Sequence, residues 1–280
     1  MNIRVALNNA NEILKKNNIK THKLDSEVLM CKAVKKDRSF LILNSSNELM
    51  EKDLKKYDGL IKKRSKGEPI AYLVGKKDFW KYQFDIKKDV LVPRPETELI
   101  VEEVLKLTKN KSKLNILDIG VGSGCLLLSI LKEKKEFNGT GIDISKKCIE
   151  LTKINSSKLG LNNRVKLFKT DVDNFAYGKY DLIISNPPYI NKLGLKNLEK
   201  DIVSFEPILA LNGGLDGISE IRKVIKKSSE LIKLNGKLIL EIAFDQRDKV
   251  SKLLKSKGFY INKVLKDFSN FDRCIVSTKI

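Results

Sequence analysis

Residues 114–124 read Leu114-Asn115-Ile116-Leu117-Asp118-Ile119-Gly120-Val121-Gly122-Ser123-Gly124, a mostly apolar run of strand length that breaks into three alternating glycines. The run suits a strand buried on both faces. The glycines allow a tight turn and a close approach of backbone to a ligand. A helical pattern follows, so the glycines stand between a strand and a helix. Working outward, strands are predicted at 140–144, 165–168, 181–185, 237–242 and 273–278. Helices are predicted up to about Leu159, near 217–233 and near 246–257. Upstream, Leu99, Ile100, Val104 and Leu107 mark a helix opened by Pro93-Arg94-Pro95-Glu96-Thr97-Glu98. Such alternation predicts an α/β fold with a doubly wound, mostly parallel sheet and helices on both faces. Ligands in such sheets sit at the carboxyl ends of the strands.

The first 75 residues follow a different period. Ile3, Ala6, Leu7, Ala10, Ile13 and Leu14 recur at three and four, as do Leu24, Val28, Leu29 and later Leu54, Tyr57, Leu60 and Ile61. These predict a small bundle of amphipathic helices over 1–75. Between the two patterns, Trp80, Tyr82, Phe84 and Ile86 alternate with polar residues, and Val90-Leu91-Val92 follows Lys87-Lys88-Asp89. This predicts a β-hairpin linker over 76–95, leaving 96–280 as the second, larger domain.

With 280 residues, 41% of them hydrophobic and 16 glycines, the chain falls in the soluble globular class. No apolar run approaches the ~18 residues of a membrane-spanning helix. The N-terminus lacks a signal-peptide pattern, so a cytoplasmic location is expected. Cys31, Cys125, Cys148 and Cys274 form no C-x-x-C pair, against a zinc site or a disulfide framework; no metal is expected. The formal net charge is +20, from 55 Lys+Arg against 35 Asp+Glu. Only eight of those 55 are arginines and the lysines are scattered, which reads as a solvated basic surface rather than a nucleic-acid footprint. His22, the one histidine, lies outside every motif and is read as a surface residue.

Two features add chemistry to the glycine loop. Asp143 closes the second predicted strand, 19 residues past Gly124, where an acidic side chain accepts hydrogen bonds from a ribose diol; a helix N-cap is its plain alternative, a role Ser145 fills equally well. Asn186-Pro187-Pro188-Tyr189 directly follows the strand at 181–185. Two prolines fix φ twice and remove two backbone donors, leaving a stiff turn rich in carbonyl acceptors. Accepting both N–H bonds of a planar NH2 group, with the Asn186 side-chain oxygen and the Pro187 carbonyl, would aim its nitrogen at an electrophile. Such bonds strengthen as the nitrogen turns cationic. Tyr189 would pack on the flat face of the same group. A dinucleotide enzyme would use G-x-G-x-x-G, but the third glycine here comes one residue early.

The loop Asp118-x-Gly120-x-Gly122-x-Gly124 resembles the cofactor loop of Rossmann-like S-adenosylmethionine-dependent methyltransferases. The turn resembles that of amino-group methyltransferases acting on adenine, cytosine or glutamine amides. Over about 60–278 the chain is similar to the release-factor glutamine methyltransferase family (HemK-type). The resemblance rests on Gly67-Glu68-Pro69-Ile70-Ala71-Tyr72, Gly75, Phe79-Trp80, Pro93 to Glu98, Asp143-Ile144-Ser145 and Phe205-Glu206-Pro207 with Ala210-Leu211. It also rests on Gly213-Gly214-Leu215-Asp216-Gly217, Glu241 with Gln246, and Asp272-Arg273. It implies methyl transfer from S-adenosylmethionine to the side-chain amide nitrogen of the glutamine in the Gly-Gly-Gln motif of class I peptide chain release factors. By resemblance, Gly120, Val121, Gly122, Ser123, Gly124, Asp143, Val172 and Asn186 contact the cofactor. Asn186, Pro187, Pro188 and Tyr189 hold the substrate glutamine, with Asn186, Pro187 and Tyr189 as the catalytic set. Relatives often carry an aromatic at the position of Val172, and a glycine where Ala243 stands.

The mechanism expected is in-line displacement at the sulfonium methyl, driven by alignment and exclusion of water, without metal, covalent intermediate or histidine base. A monomer with no membrane partner and no requirement for nucleic acid is expected. A ribosomal-protein glutamine methyltransferase shares the turn and much of the fold. An adenine-N6 nucleic-acid methyltransferase would need a basic, aromatic target-recognition insert for a flipped base, and none is evident. A non-catalytic module is disfavoured by the intact loop, Asp143 and turn.

Overall fold

The computed structural model describes residues 1–196 and 200–280, with side chains for all of these but 200–202. The chain divides into two compact units, one built on residues 1–76 with a short helix from the 200s, the other on the remainder.

The first unit contains Ile3–Lys16 (α1), His22–Val34 (α2), Arg38–Leu43 (α3), Glu51–Arg64 (α4) and Ile70–Val74 (α5). Asn2 caps α1 by accepting from the Val5 N–H at 2.9 Å, and Asp37 caps α3 through Phe40 at 2.8 Å. The three- and four-residue spacings turn Leu14, Leu29, Met30, Tyr57 and Ile61 into one buried cluster. Beside it Arg64 is buried against Asp25 at 2.7 Å and donates to the Glu68 carbonyl at 3.1 Å, so this buried cation is paired and hydrogen-bonded.

The hairpin sits earlier than the alternation implied. Its strands are Lys76–Phe79 (β1) and Tyr82–Asp85 (β2), and Val90–Val92 belongs to no strand. The turn is Trp80-Lys81, with Trp80 at φ 57°. No glycine or asparagine signals this turn; instead the Trp80 N–H donates to Glu98 at 2.8 Å, and Trp80 Nε1 and Tyr82 Oη both donate to Glu133, at 3.1 and 3.0 Å. These bonds offset the strain of a left-handed tryptophan.

The rest of the second unit alternates as expected. It runs Glu98–Leu107 (α6), Asn115–Ile119 (β3), Cys125–Glu133 (α7), Asn138–Asp143 (β4), Lys146–Lys158 (α8), Val165–Lys169 (β5), Tyr180–Ser185 (β6) and Lys192–Lys196 (α9). Lys200–Phe205 (α10) groups with the first unit. Ser219–Leu231 (α11), Ile232–Glu241 (β7), Arg247–Ser256 (α12), Phe259–Lys266 (β8) and Asp272–Lys279 (β9) complete the chain. The strand at 259–266 was not expected. It is one of the two edge strands, carrying Lys263 and Lys266 and a register shift between Ile261 and Lys263, which hides its alternation.

The seven strands lie in the order β5-β4-β3-β6-β7-β9-β8. β3 to β7 are parallel; β9 is antiparallel to both its neighbours. Ile116, Leu117, Ile183, Ile184, Leu238 and Ile239 are wholly buried, as strands covered on both faces require. The winding reverses between β3 and β6, and the crevice outside their carboxyl ends is where such sheets bind ligands. No described helix is long and apolar enough to cross a membrane.

Candidate active site

The glycine loop leaves β3 with Gly120, Gly122 and Gly124 at φ 80°, 57° and 83°, a conformation that L side chains resist. The Gly120 and Val121 N–H groups donate to the Ile142 carbonyl at 2.9 and 3.0 Å, pinning the loop to β4. The Gly122 N–H donates to Asp143 Oδ2 at 3.0 Å and the Ser145 N–H to Asp143 Oδ1 at 2.8 Å. Ser145, not Asp143, caps α8, its Oγ accepting from the Cys148 N–H at 3.4 Å. Each Asp143 oxygen thus makes one backbone bond and keeps a lone pair. Burial raises its pKa above the usual carboxylate value, and the two backbone donors, with the Cys148 thiol, oppose that rise. Beneath the loop, Asp118 is fully buried, and burial, with Asp143 adding, pushes its carboxyl up to about 8.

The turn leaves β6, the neighbouring strand, with the Ser185 hydroxyl donating to the Ile119 carbonyl at 2.7 Å. The half-buried Asn186 donates through Nδ2 to Thr97 Oγ1 at 3.2 Å. Neither Asn186 Oδ1 nor the Pro187 carbonyl accepts a hydrogen bond among the described residues. Gln246 clamps the far end of the turn, donating through Nε2 to the Tyr189 carbonyl at 2.9 Å and the Gly217 carbonyl at 3.0 Å, while its Oε1 accepts from the Ala243 N–H at 3.0 Å. Gly213 donates to the Ile190 carbonyl at 2.8 Å, and a Cβ on it would lie 2.6 Å from the Gly217 carbonyl oxygen. The glycine-rich segment 213–217 is therefore a backing for the turn. Arg94, before the turn Pro95–Thr97, pairs with the buried Glu206 at 2.6 Å, joining two segments beside the crevice.

These elements enclose a cavity of about 750 Å³. Gly120, Val121, Gly122, Ser123, Asp143, Val172, Asn186, Pro187 and Pro188 all line it. Two expected site residues do not. Gly124 is the N-terminal cap of α7, where a Cβ would come within 2.8 Å of Thr152 and 2.9 Å of Leu128, so it serves helix packing. Tyr189 turns its ring into the core, and its hydroxyl donates to Glu241 Oε1 at 3.3 Å. Ile144, Thr97, Leu209 and Ala210 also line the cavity; Ile144, Thr97 and Ala210 lie inside the motifs that carry the resemblance, whereas nothing in the sequence points to Leu209. Cys125 and Cys148 line it too, but burial pushes both thiols up to about 12, which rules them out as nucleophiles near neutral pH.

Residues 5–75 match the PrmC N-terminal domain and residues 96–215 the methyltransferase small domain. The chain is 37% identical over 282 residues to the release factor glutamine methyltransferase of Clostridium acetobutylicum, covering 100% of this chain and 99% of that one. It is 38% identical over 273 residues to the protein of the same name from Clostridium botulinum, covering 95% of each. Among solved structures, a ribosomal protein L11 methylase from Lactobacillus delbrueckii subsp. bulgaricus superposes with a TM-score of 0.52 at 19% identity, over 72% of this chain and 89% of that one, a likeness of fold alone. Identity at this level across both chains means that the protein belongs to the release factor glutamine methyltransferase family.

Proposed function

We propose that this methyltransferase moves a methyl group from S-adenosylmethionine to the side-chain amide nitrogen (N5) of the glutamine in the Gly-Gly-Gln motif of class I peptide chain release factors. The observation that carries the reading is the pair of free acceptors, Asn186 Oδ1 and the Pro187 carbonyl, on the wall of a cavity shared with the glycine loop. An acceptor pair suits a primary amide, which has two N–H donors and a nitrogen that conjugation makes a poor nucleophile.

The cavity suits the donor. A Cβ on Gly120 would meet nothing within 4 Å, so bare backbone faces the ligand there. Asp143 keeps lone pairs for a ribose diol, and Ile144 and Val172 supply apolar wall beside it for the adenine. Gly120, Val121, Gly122, Ser123 and Asn186 would complete the contacts. When bound, S-adenosylmethionine supplies a methyl carbon made electrophilic by its sulfonium. Asn186 and Pro187 align the substrate nitrogen with that carbon, and their bonds tighten as positive charge grows on the nitrogen. The new N–C bond forms as the C–S bond breaks. The methylated nitrogen is then acidic and gives its proton to water, so no dedicated base is required.

The test incubates the purified chain with isotope-labelled S-adenosylmethionine and, separately, a class I release factor, ribosomal protein and DNA, then locates the mass increment. A single methyl on the Gly-Gly-Gln glutamine is the expected result. Label confined to ribosomal protein or to nucleic acid overturns the reading.

A further inference from the structure

Helix α8 turns two polar side chains inward: Thr152 and Asn155 are buried there beside Leu151. Asparagine is a poor helix former, and a buried carboxamide costs free energy unless its hydrogen bonds are made. Here they are made. Asn155 Oδ1 accepts from the Asp85 N–H at 2.8 Å, while Nδ2 donates to the Asp85 carbonyl at 3.1 Å and to the Ser123 carbonyl at 2.9 Å. Three residues earlier, on the same face of the helix, the Thr152 hydroxyl donates to the Gly122 carbonyl at 2.9 Å. Asp85 is the last residue of β2, and Gly122 and Ser123 belong to the glycine loop. A single side chain thus grips both backbone groups of a hairpin residue and one carbonyl of the loop.

A trans peptide sets its C=O and its N–H on opposite sides. With the Gly122 carbonyl drawn to α8, the N–H of the same peptide unit, that of Ser123, points away from the helix. It makes no hydrogen bond among the described residues, whereas the Gly124 N–H of the next unit is taken by the Val121 carbonyl at 2.8 Å. The loop therefore keeps one unused backbone donor at Ser123, a residue that lines the cavity. We infer that Thr152 and Asn155 position the glycine loop for S-adenosylmethionine, and that Asn155 ties the shape of the loop to the hairpin, so that donor binding and the hairpin are coupled. The inference rests on the donor lying against the loop, as proposed above, and not on which amide accepts the methyl. Neither Thr152 nor Asn155 lines the cavity, so both are positioning residues. Coupling of this kind is reciprocal: a hairpin held elsewhere would change donor affinity by the factor with which the donor steadies the hairpin.

The test uses the full chain and S-adenosylmethionine alone, by calorimetric titration and by residue-resolved amide exchange in NMR. Thr152→Val keeps the side-chain shape and removes the hydroxyl; its Kd is expected to rise about fivefold, within the range for one lost hydrogen bond. Thr152→Ser restores the hydroxyl and should bring the Kd back to within about twofold of wild type. Asn155→Asp leaves an oxygen for the Asp85 N–H but removes both amide donors, and its Kd should rise about tenfold. The Kd is read on folded protein, so a residue that served stability alone would lower Tm and leave the Kd where it was. That result in Thr152→Val overturns the inference, as does an equal loss in Thr152→Ser. The second measurement needs no variant. In wild type, saturating S-adenosylmethionine should slow exchange at the 120–124 amides and, through Asn155, slow the Asp85 amide about tenfold, more than the other amides of the hairpin. Slowing at 120–124 without slowing at Asp85 overturns the inference and leaves the donor site standing. Equal slowing throughout the hairpin marks global stabilisation and also overturns it. Absence of slowing at 120–124 overturns the inference together with the seat proposed for the donor.

Discussion

The loop after β3 and the turn after β6 leave the carboxyl ends of neighbouring parallel strands in the middle of the sheet, yet they present opposite chemistry to the same cavity. In the loop, glycines at positive φ bare the backbone and turn N–H groups onto the Ile142 carbonyl and Asp143. In the turn, two prolines delete N–H groups, and what remains on the cavity side is the Asn186 oxygen and a carbonyl. The loop is held by its neighbouring strand, whereas the turn is held by groups far along the chain, Thr97, Gln246 and the 213–217 segment. The sheet supplies place, and the choice between glycine and proline supplies polarity.

The sharpest break in this comparison is Asn186→Ala. Deleting one preorganised group of a reactive site typically costs 10²–10³ in kcat, and that loss is expected here with the Kd for S-adenosylmethionine changed only about threefold, because the loop remains intact. Steady-state kinetics beside calorimetric binding checks it, and near-normal turnover would remove Asn186 from the mechanism. Within the loop itself the glycines should differ. Gly124→Ala combines positive φ with contacts of 2.8 and 2.9 Å to Thr152 and Leu128, while Gly120→Ala meets only the strain of its φ. Urea unfolding should show a loss of about 2–4 kcal/mol for the first and about 1 kcal/mol for the second; equal losses would mean that packing under the loop contributes nothing.

The smallest effect is in pH. Burial pushes Glu241 up to about 7, with Thr97, Tyr189 and Arg273 pulling it down and Glu96 pushing it further up. Cys125 and Cys274 also feel its charge but carry raised thiol pKa values and stay neutral. The sign follows from the acid: below about 7 the carboxyl holds its proton, and the negative charge that accepts from the Tyr189 hydroxyl behind the turn is lost. One unit below its pKa only about a tenth of a carboxyl is ionised, so kcat should drop by up to about tenfold from pH 8 to pH 6. Glu241→Gln should flatten that limb; an unchanged slope would assign it to another group.

The parts of this site that show in the sequence are those whose chemistry is carried by the backbone. Glycine and proline announce what they do to φ and to N–H groups wherever they stand, so the loop and the turn were readable, and Asp143 followed from its place at a strand end. Apolar periodicity likewise revealed the N-terminal helices and the buried strands. Side chains whose role comes from a distant partner did not show. Thr97 meets Asn186 across 89 residues, and Tyr189 meets Glu241 across 52; no local pattern encodes either pairing. The packing of the Tyr189 ring against the core and of Gly124 under α7 is likewise not encoded by any local pattern. The same limit hid the Trp80 turn, held by Glu98 and Glu133, and the edge strand β8.

The Gln246 clamp has a temporal consequence. Synthesis delivers the glycine loop and the proline turn well before the residue that fixes the Tyr189 carbonyl, 57 positions later. A nascent chain halted between them can wind the early strands but has nothing to brace the acceptor wall. The acceptor wall thus reaches working form only after Gln246 has emerged from the ribosome.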